Sequence, residues 1–312
     1  MGYVVGVGAL NADFAGRSRE NPVMRDSNPG FVRVSAGGVT RNILENAARM
    51  GLDCRLLSAA GNDALGKMAL AATKNAGVDV SHALILDDIP TSTYCAILEP
   101  SGEMLVALSD MRILERVSDG YLEAHAGLLA GADAVVLDPS LPVRAIDKVL
   151  ELACGAPVFA DPVSTSYAKK LIGREGRFFM LKPNRMELSI LTGMDADTET
   201  SLRRAAEALV NTGCKRVYVT LGAEGCAYAD DDGRYLRSKL RPARQMENAT
   251  GAGDAFTAAV LYGFVRDYAP ARTIFLALAA GLAAIQSEAT VEPRMSEAFL
   301  ESILRENPMA SC

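Results

Sequence analysis

From residue 134 to the C-terminal region, short apolar runs and helical patterns take turns with little chain between them. Residues 134–138, 157–160, 178–181 and 216–220 read as strands. The helical patterns at 143–153, 165–172, 184–192 and 199–212 fall between them. A short β section at 226–237 and three helices at about 252–267, 270–287 and 295–305 follow. Strands that alternate with helices form a largely parallel sheet covered on both faces.

The first third obeys the same rule. Tyr3–Gly8 is an apolar run ending in glycine, and 55–60 reads as another strand before a helix at 64–76. Val39, Ile43, Ala47 and Met50 recur at helical spacing directly after Gly37-Gly38. Two stretches break the pattern. Residues 31–36 alternate as a half-exposed strand does, and 91–98 and 103–109 are β-rich segments joined by Glu99-Pro-Ser-Gly102. No helix separates these two segments, so the stretches at about 10–36 and 88–112 predict a small inserted sheet. Such a sheet lies over the carboxyl ends of the central strands, where α/β proteins bind ligands. The expectation is one α/β domain over residues 1–312 with that sheet as a lid.

Composition narrows the chemistry. The chain has 312 residues, 49% hydrophobic, with 32 basic against 38 acidic side chains and a net charge of −6. That balance argues against a broad nucleic-acid surface. Its two histidines, His82 and His125, are too few for a histidine-rich metal site, and a catalytic triad would have to use one of them. The six cysteines lack C-x-x-C spacing and read as reduced, mostly core thiols. The N-terminus lacks a basic, then long apolar, leader, and Ile274–Ile285 is too short to span a bilayer. No membrane partner and a cytoplasmic location are expected.

Four segments could carry chemistry. In Asn248-Ala-Thr-Gly-Ala-Gly-Asp-Ala-Phe256, Gly251 and Gly253 expose backbone N–H groups, together with Ala252, at the start of a helix. Such an end attracts an anion or a developing phosphoryl charge. Asp254 is either a cap or a general base for a hydroxyl. In Leu181-Lys-Pro-Asn-Arg-Met-Glu187, Asn184 and Glu187 form either a capping box or a pair facing phosphates and a magnesium shell. Thr220-Leu-Gly-Ala-Glu-Gly225 is a turn after a strand, plain or in close approach to a nucleotide through Gly222 and Gly225. Near the start, Asn11 and Asp13, with Gly38 and Asn42, are either turn and cap residues or polar contacts for a polyol. Gly61–Met68 is no phosphate loop, because Met68 stands where a hydroxyl residue must be.

Gly37-Gly38, Asn184-x-x-Glu187, Thr220-x-Gly-x-x-Gly225 and Gly251-Ala-Gly-Asp254 occur in the order that resembles the ribokinase-like (PfkB) family of sugar and nucleoside kinases, over about residues 3–305. Asn28-Pro-Gly30, Gly37–Ile43, Ser101–Met111, Asp161-Pro-Val-Ser164 and Leu181–Arg185 look most like the branch that acts on pseudouridine. Ribose, adenosine or another nucleoside is the alternative acceptor. A silent nucleoside-binding regulator is a third reading, against which the intact Asp254 speaks.

The resemblance implies a three-layer α/β sandwich with a mostly parallel central sheet and a small β lid. It implies ATP, Mg²⁺ and a nucleoside as ligands, and a homodimer paired through the lid. Asp254 would be the base, and the N–H groups of Gly251, Ala252 and Gly253 would hold the transferred phosphoryl. Asn11, Asp13, Gly38, Asn42 and the lid residue Thr93 would hold the nucleoside. Asn184, Thr220, Gly222 and Gly225 would lie along ATP, and Glu187 would reach the metal through water. Two positions depart from the pattern. Thr40 replaces an expected glycine, and Asn248 stands where K⁺-dependent members carry an aspartate, so the resemblance leaves K⁺ activation open.

Overall fold

The computed structural model describes residues 2–241, 251–307 and 309–310. Asn248 and Thr250, and with them the residues that bear on K⁺, lie outside the described residues, as does Cys312.

The central sheet begins with β1 (Val4–Val7), continues into the small sheet with β2 (Asn11–Ser18) and β3 (Gly30–Gly37), and returns through α1 (Val39–Arg49) to β4 (Cys54–Leu57). Next come β5 (Ala59–Gly61), α2 (Ala64–Asn75), β6 (Val78–Asp79) and β7 (Leu84–Leu86), then the hairpin β8 (Thr93–Leu98) and β9 (Met104–Asp110). The second half runs α3 (Asp119–Ala124), α4 (Ala126–Ala130), β10 (Ala134–Leu137), α5 (Val143–Leu152), β11 (Val158–Ala160), α6 (Thr165–Ala168), β12 (Met180–Leu181), α7 (Arg185–Thr192), α8 (Glu199–Asn211) and β13 (Arg216–Thr220). It ends with β14 (Cys226–Asp230), β15 (Tyr235–Leu240), α9 (Ala252–Val265), α10 (Pro270–Ile285), α11 (Glu297–Glu306) and β16 (Met309–Ala310).

The main sheet has the order β16-β15-β14-β13-β12-β11-β10-β1-β4-β6. It is parallel from β6 to β13 and antiparallel beyond. Successive residues of β1 enter different cores, Val4 on one face and Val5 and Val7 on the other, as the two-residue period of a strand requires. One core is roofed by α1, α9, α10 and α11, the other by α5, α7 and α8. The result is the expected helix–sheet–helix sandwich. A crossover occurs between β1 and β10, whose chains leave in opposite directions; the crevice there is where such sheets bind ligands.

The separate four-stranded sheet has the order β3-β2-β8-β9. The β8–β9 turn closes with the Gly102 N–H donating to the Glu99 carbonyl at 2.9 Å, Gly102 sitting at φ 90° where glycine is favoured.

Three local expectations need correction. The run 55–60 is two strands, because the chain breaks at Ser58, whose hydroxyl donates to the Gly8 carbonyl at 2.6 Å, and β5 pairs with β7 instead. The helix at 165–172 shortens to α6, with a tighter turn at Lys169–Leu171 and extended backbone at Ile172. Cys95 and Cys154 are exposed; Cys54, Cys214 and Cys226 are the core thiols among the described residues.

Candidate functional site

The parallel strands end on one edge, and the polar residues that follow them converge there. Asn11 lies beyond β1, Asp138 beyond β10, Asp161 beyond β11, Lys182 and Asn184 beyond β12, and Thr220 ends β13. The first turn of α9 closes the group from above.

Gly251 caps α9 at φ 86°, and among the described residues no side chain bonds the helix's leading N–H groups. Donors of this kind, with the helix dipole behind them, attract an anion. Asp254 sits in the same turn, buried, and its Oδ2 accepts from Asn42 Nδ2 at 2.8 Å. Burial, and then the neighbouring Asp161 charge, push its carboxyl up to about 7. A carboxyl poised there can exchange a proton near neutral pH.

Asn42 lies on α1, and its side-chain Oδ1 accepts from Arg41 Nη1 at 3.0 Å, which orients the amide for Asp254. Gly38, at φ 104°, starts this helix; a side chain there would overlap the Ala9 carbonyl. Asp138 ties the same loops together. It accepts from the Ala9 N–H at 2.9 Å, the Thr40 N–H at 3.2 Å and the Thr40 hydroxyl at 2.8 Å. Thr40 therefore stands in the glycine position as a donor to a buried carboxylate.

Asn11 and Asp13 lie on β2. Asn11 Oδ1 accepts from the Ser92 hydroxyl at 2.8 Å. Asp13 Oδ1 is buried with no hydrogen-bond partner among the described residues. Burial holds this carboxyl up at about 6, against the pull of Arg41. A buried acceptor without a donor is costly unless a ligand supplies one.

Asp13 is paired with Tyr94 of β8, so the two share a face, and the Asp13 charge is felt at the phenol. Thr93 is paired with Ala12 and leaves the opposite face. The β8 side chain on the face of Asp13 is thus Tyr94, not Thr93. The face is set by the register between β2 and β8, which is long-range.

On the other side, Asn184 and Glu187 form the capping box of α7. Asn184 Oδ1 accepts the Glu187 N–H at 2.9 Å and Glu187 Oε2 accepts the Asn184 N–H at 2.8 Å. Glu187 is buried, its carboxyl is raised mainly by that burial, and the charges of Asp161 and Lys182 reach it. The box holds the pair in place without using every oxygen. Thr220 lies beside Asn184, its N–H donating to the Pro183 carbonyl at 3.0 Å. Gly222 (φ 59°) and Gly225 (φ 87°) then turn the chain away. Asn184, Glu187 and Thr220 so stand together past the ends of β12 and β13, and Asn42 reaches Asp254 from α1.

One carboxylate and one amide do not make an all-protein metal cage, and no group of three or more such ligands exists among the described residues. The pair does fit a hydrated magnesium ion shared with phosphate oxygens.

Asp138, Asp161 and Lys182 carry much of the site's charge, and motif reading had given them no role. Their shared signal is position: each directly follows a parallel strand.

Residues 1–297 match the pfkB family of carbohydrate kinases. A pseudouridine kinase of Escherichia coli (strain K12) is 35% identical over 302 residues, covering 97% of this chain and 96% of that one. A guanosine-inosine kinase of Exiguobacterium acetylicum is 25% identical over 307 residues, 96% of this chain and 100% of that one. A ribokinase structure from Arabidopsis thaliana, complexed with ribose and ATP, superposes with a TM-score of 0.84 at 24% identity, covering 97% and 98% of the two chains. No helix among the described residues is long and apolar enough to cross a membrane.

Proposed function

The chain belongs to the pfkB carbohydrate kinase family and is a phosphotransferase with an alcohol acceptor; from that premise we propose that it moves the γ-phosphoryl of ATP to the 5′-hydroxyl of pseudouridine. The observation that carries this reading is Asp254: a buried carboxyl raised to about 7 in the first turn of a helix that a left-handed glycine opens. The 35% identity to a pseudouridine kinase supports the choice of acceptor.

Asp13, with an unsatisfied buried oxygen, and Asn11 take the ribose hydroxyls, and the close backbone at Gly38 lets the sugar approach. Asn42 orients Asp254. Asp254 takes the proton of the 5′-hydroxyl as its oxygen attacks the γ-phosphorus in line, and ADP leaves. The N–H groups of Gly251, Ala252 and Gly253 bear the charge on the phosphoryl in flight, which is where such transfers gain most. Asn184, Thr220, Gly222 and Gly225 line the ATP. Magnesium supplies charge neutralisation on the phosphates when bound, with Glu187 holding its water shell. Tyr94 covers the nucleoside and limits water access.

An ADP-release assay with pseudouridine, uridine, adenosine and ribose in parallel tests this reading. The expected result is the highest kcat/KM with pseudouridine. A higher value for any of the others sinks the assignment.

The reading also takes residues 1–312 as one cytoplasmic kinase domain that pairs through its small sheet. The face of that sheet opposite Asp13 carries Val32, Val34, Ile97, Val106 and Leu108, all exposed. A contiguous apolar surface of this kind is buried by association. A dimer is expected in sedimentation velocity, and Leu108→Glu with Val34→Glu should turn it into a monomer. A monomeric wild type at micromolar concentration contradicts the pairing.

A further inference from the structure

Lys182 is a fully buried ammonium that the mechanism above does not use. Its Nζ lies 2.7 Å from Asp161 Oδ2, and both side chains are nearly sealed from solvent, at 6% and 5% exposure. It also lies against α9: a methyl group added at Gly253 would come within 3.0 Å of Nζ. A buried ammonium keeps its charge only when it is paired, and a buried carboxylate likewise.

Asp161 has three further tasks. Its Oδ1 accepts the Val163 N–H at 3.0 Å, at a residue held at φ 67°, a backbone region a β-branched residue rarely enters. Its Oδ2 accepts the Thr257 hydroxyl at 3.3 Å. That hydroxyl also lies 3.0 Å from the Gly253 carbonyl and has one proton to donate to either oxygen, so the end of β11 meets α9 one turn past Gly253. The third task is electrostatic. The groups facing Asp254 are Asp161 after β11, Lys182 after β12, Asp138 after β10, and Arg41 and Asn42 on α1. Glu187 on α7 acts on Lys182 from behind.

We propose that Lys182 and Asp161 form a positioning pair for the transfer: Asp161 fixes the first turn of α9, and Lys182 offsets its negative charge so that Asp254 works as an anion. This rests on the reading of Asp254 as the base. The two members of the pair push the carboxyl in opposite directions, Asp161 towards the protonated form and Lys182 towards the ionised form.

The test uses the full chain with Lys182→Met, Lys182→Arg and Asp161→Asn. Two quantities are followed from pH 5 to 9: kcat/KM for pseudouridine, and the carboxyl ¹³C signal of Asp254, identified by its loss in Asp254→Asn. Lys182→Met should raise both midpoints by about one pH unit and cut kcat near pH 6.5 by roughly tenfold, with the nucleoside KM little changed. Lys182→Arg should hold the midpoints near wild type. Asp161→Asn should lower them. Midpoints that stay put, or move the same way in Lys182→Met and Asp161→Asn, overturn the proposal. Should Lys182→Met fail to fold, Asp161→Asn decides through the required downward shift. Should the wild type phosphorylate no nucleoside, the functional reading fails, while the ¹³C titration still decides the pair.

Discussion

Asp254→Asn is expected to lower phosphorylation by about 10²–10⁴-fold while leaving nucleoside binding close to wild type. Asparagine keeps the size of the side chain and an oxygen to accept from Asn42 Nδ2. What it cannot do is take the proton. The same carboxyl sets the pH dependence of the wild type. Because it titrates at about 7, kcat/KM should fall as pH drops through that value. The variant also carries a stability signature. Burial and then Asp161 raise the folded-state value from 3.8 to about 7, so the folded protein favours the protonated group. That contribution to stability is complete below 3.8 and is lost as pH rises through 7. Asparagine has no charge to bury, so the variant's melting temperature relative to wild type should increase from pH 5 to pH 8. A variant that keeps more than about a tenth of the wild-type rate removes Asp254 from the role of base. A melting difference that does not grow with pH contradicts the buried, raised carboxyl.

Much of the architecture is legible along the chain because its causes are local. The apolar runs of β1, β10 and β13 and the helical spacing of α1 are written in consecutive residues, and they survive in the structure within one or two positions. The Gly251–Asp254 segment is legible for the same reason: a left-handed glycine and the N–H groups it exposes belong to one turn. What resists reading is what the tertiary structure decides. The strand at 91–98 is visible, yet its facing depends on Asp13 pairing with Tyr94, residues 81 positions apart. Ser58 breaks a run that reads as one strand because its hydroxyl meets the Gly8 carbonyl just past β1. Asn184 and Glu187 show why single motifs stay ambiguous. The capping box is formed, and it uses one Glu187 oxygen while leaving the other for the proposed second role. Asp161 and Lys182 lie in quoted motifs that assign them no role, Asp138 lies in none, and only the shared strand edge brings the three together.

That shared edge bears on the second large effect, which concerns geometry and not charge. Gly251→Ala is expected to lower kcat by about 10²–10³-fold, with the nucleoside KM little changed. Gly251 sits at φ 86°, where an L side chain is strained, and a methyl group there would overlap the Thr290 carbonyl oxygen. Neither obstacle is a flexible side-chain tip, so the chain must shift at the point where α9 begins. The N–H groups that follow then no longer converge on one anion, and Asp254 moves with them. Asp13 and Asn42, the proposed sugar contacts, lie on β2 and α1, outside that turn. Gly281→Ala is the control in the facing helix. Its methyl group would stand 3.6 Å from the Ala252 carbonyl, an ordinary contact, at a helical position where alanine is favoured by about 0.5–1 kcal/mol. That variant should retain the wild-type rate and melt slightly higher. If Gly251→Ala instead turns over within threefold of wild type, the N-terminal turn of α9 is not what holds the phosphoryl group.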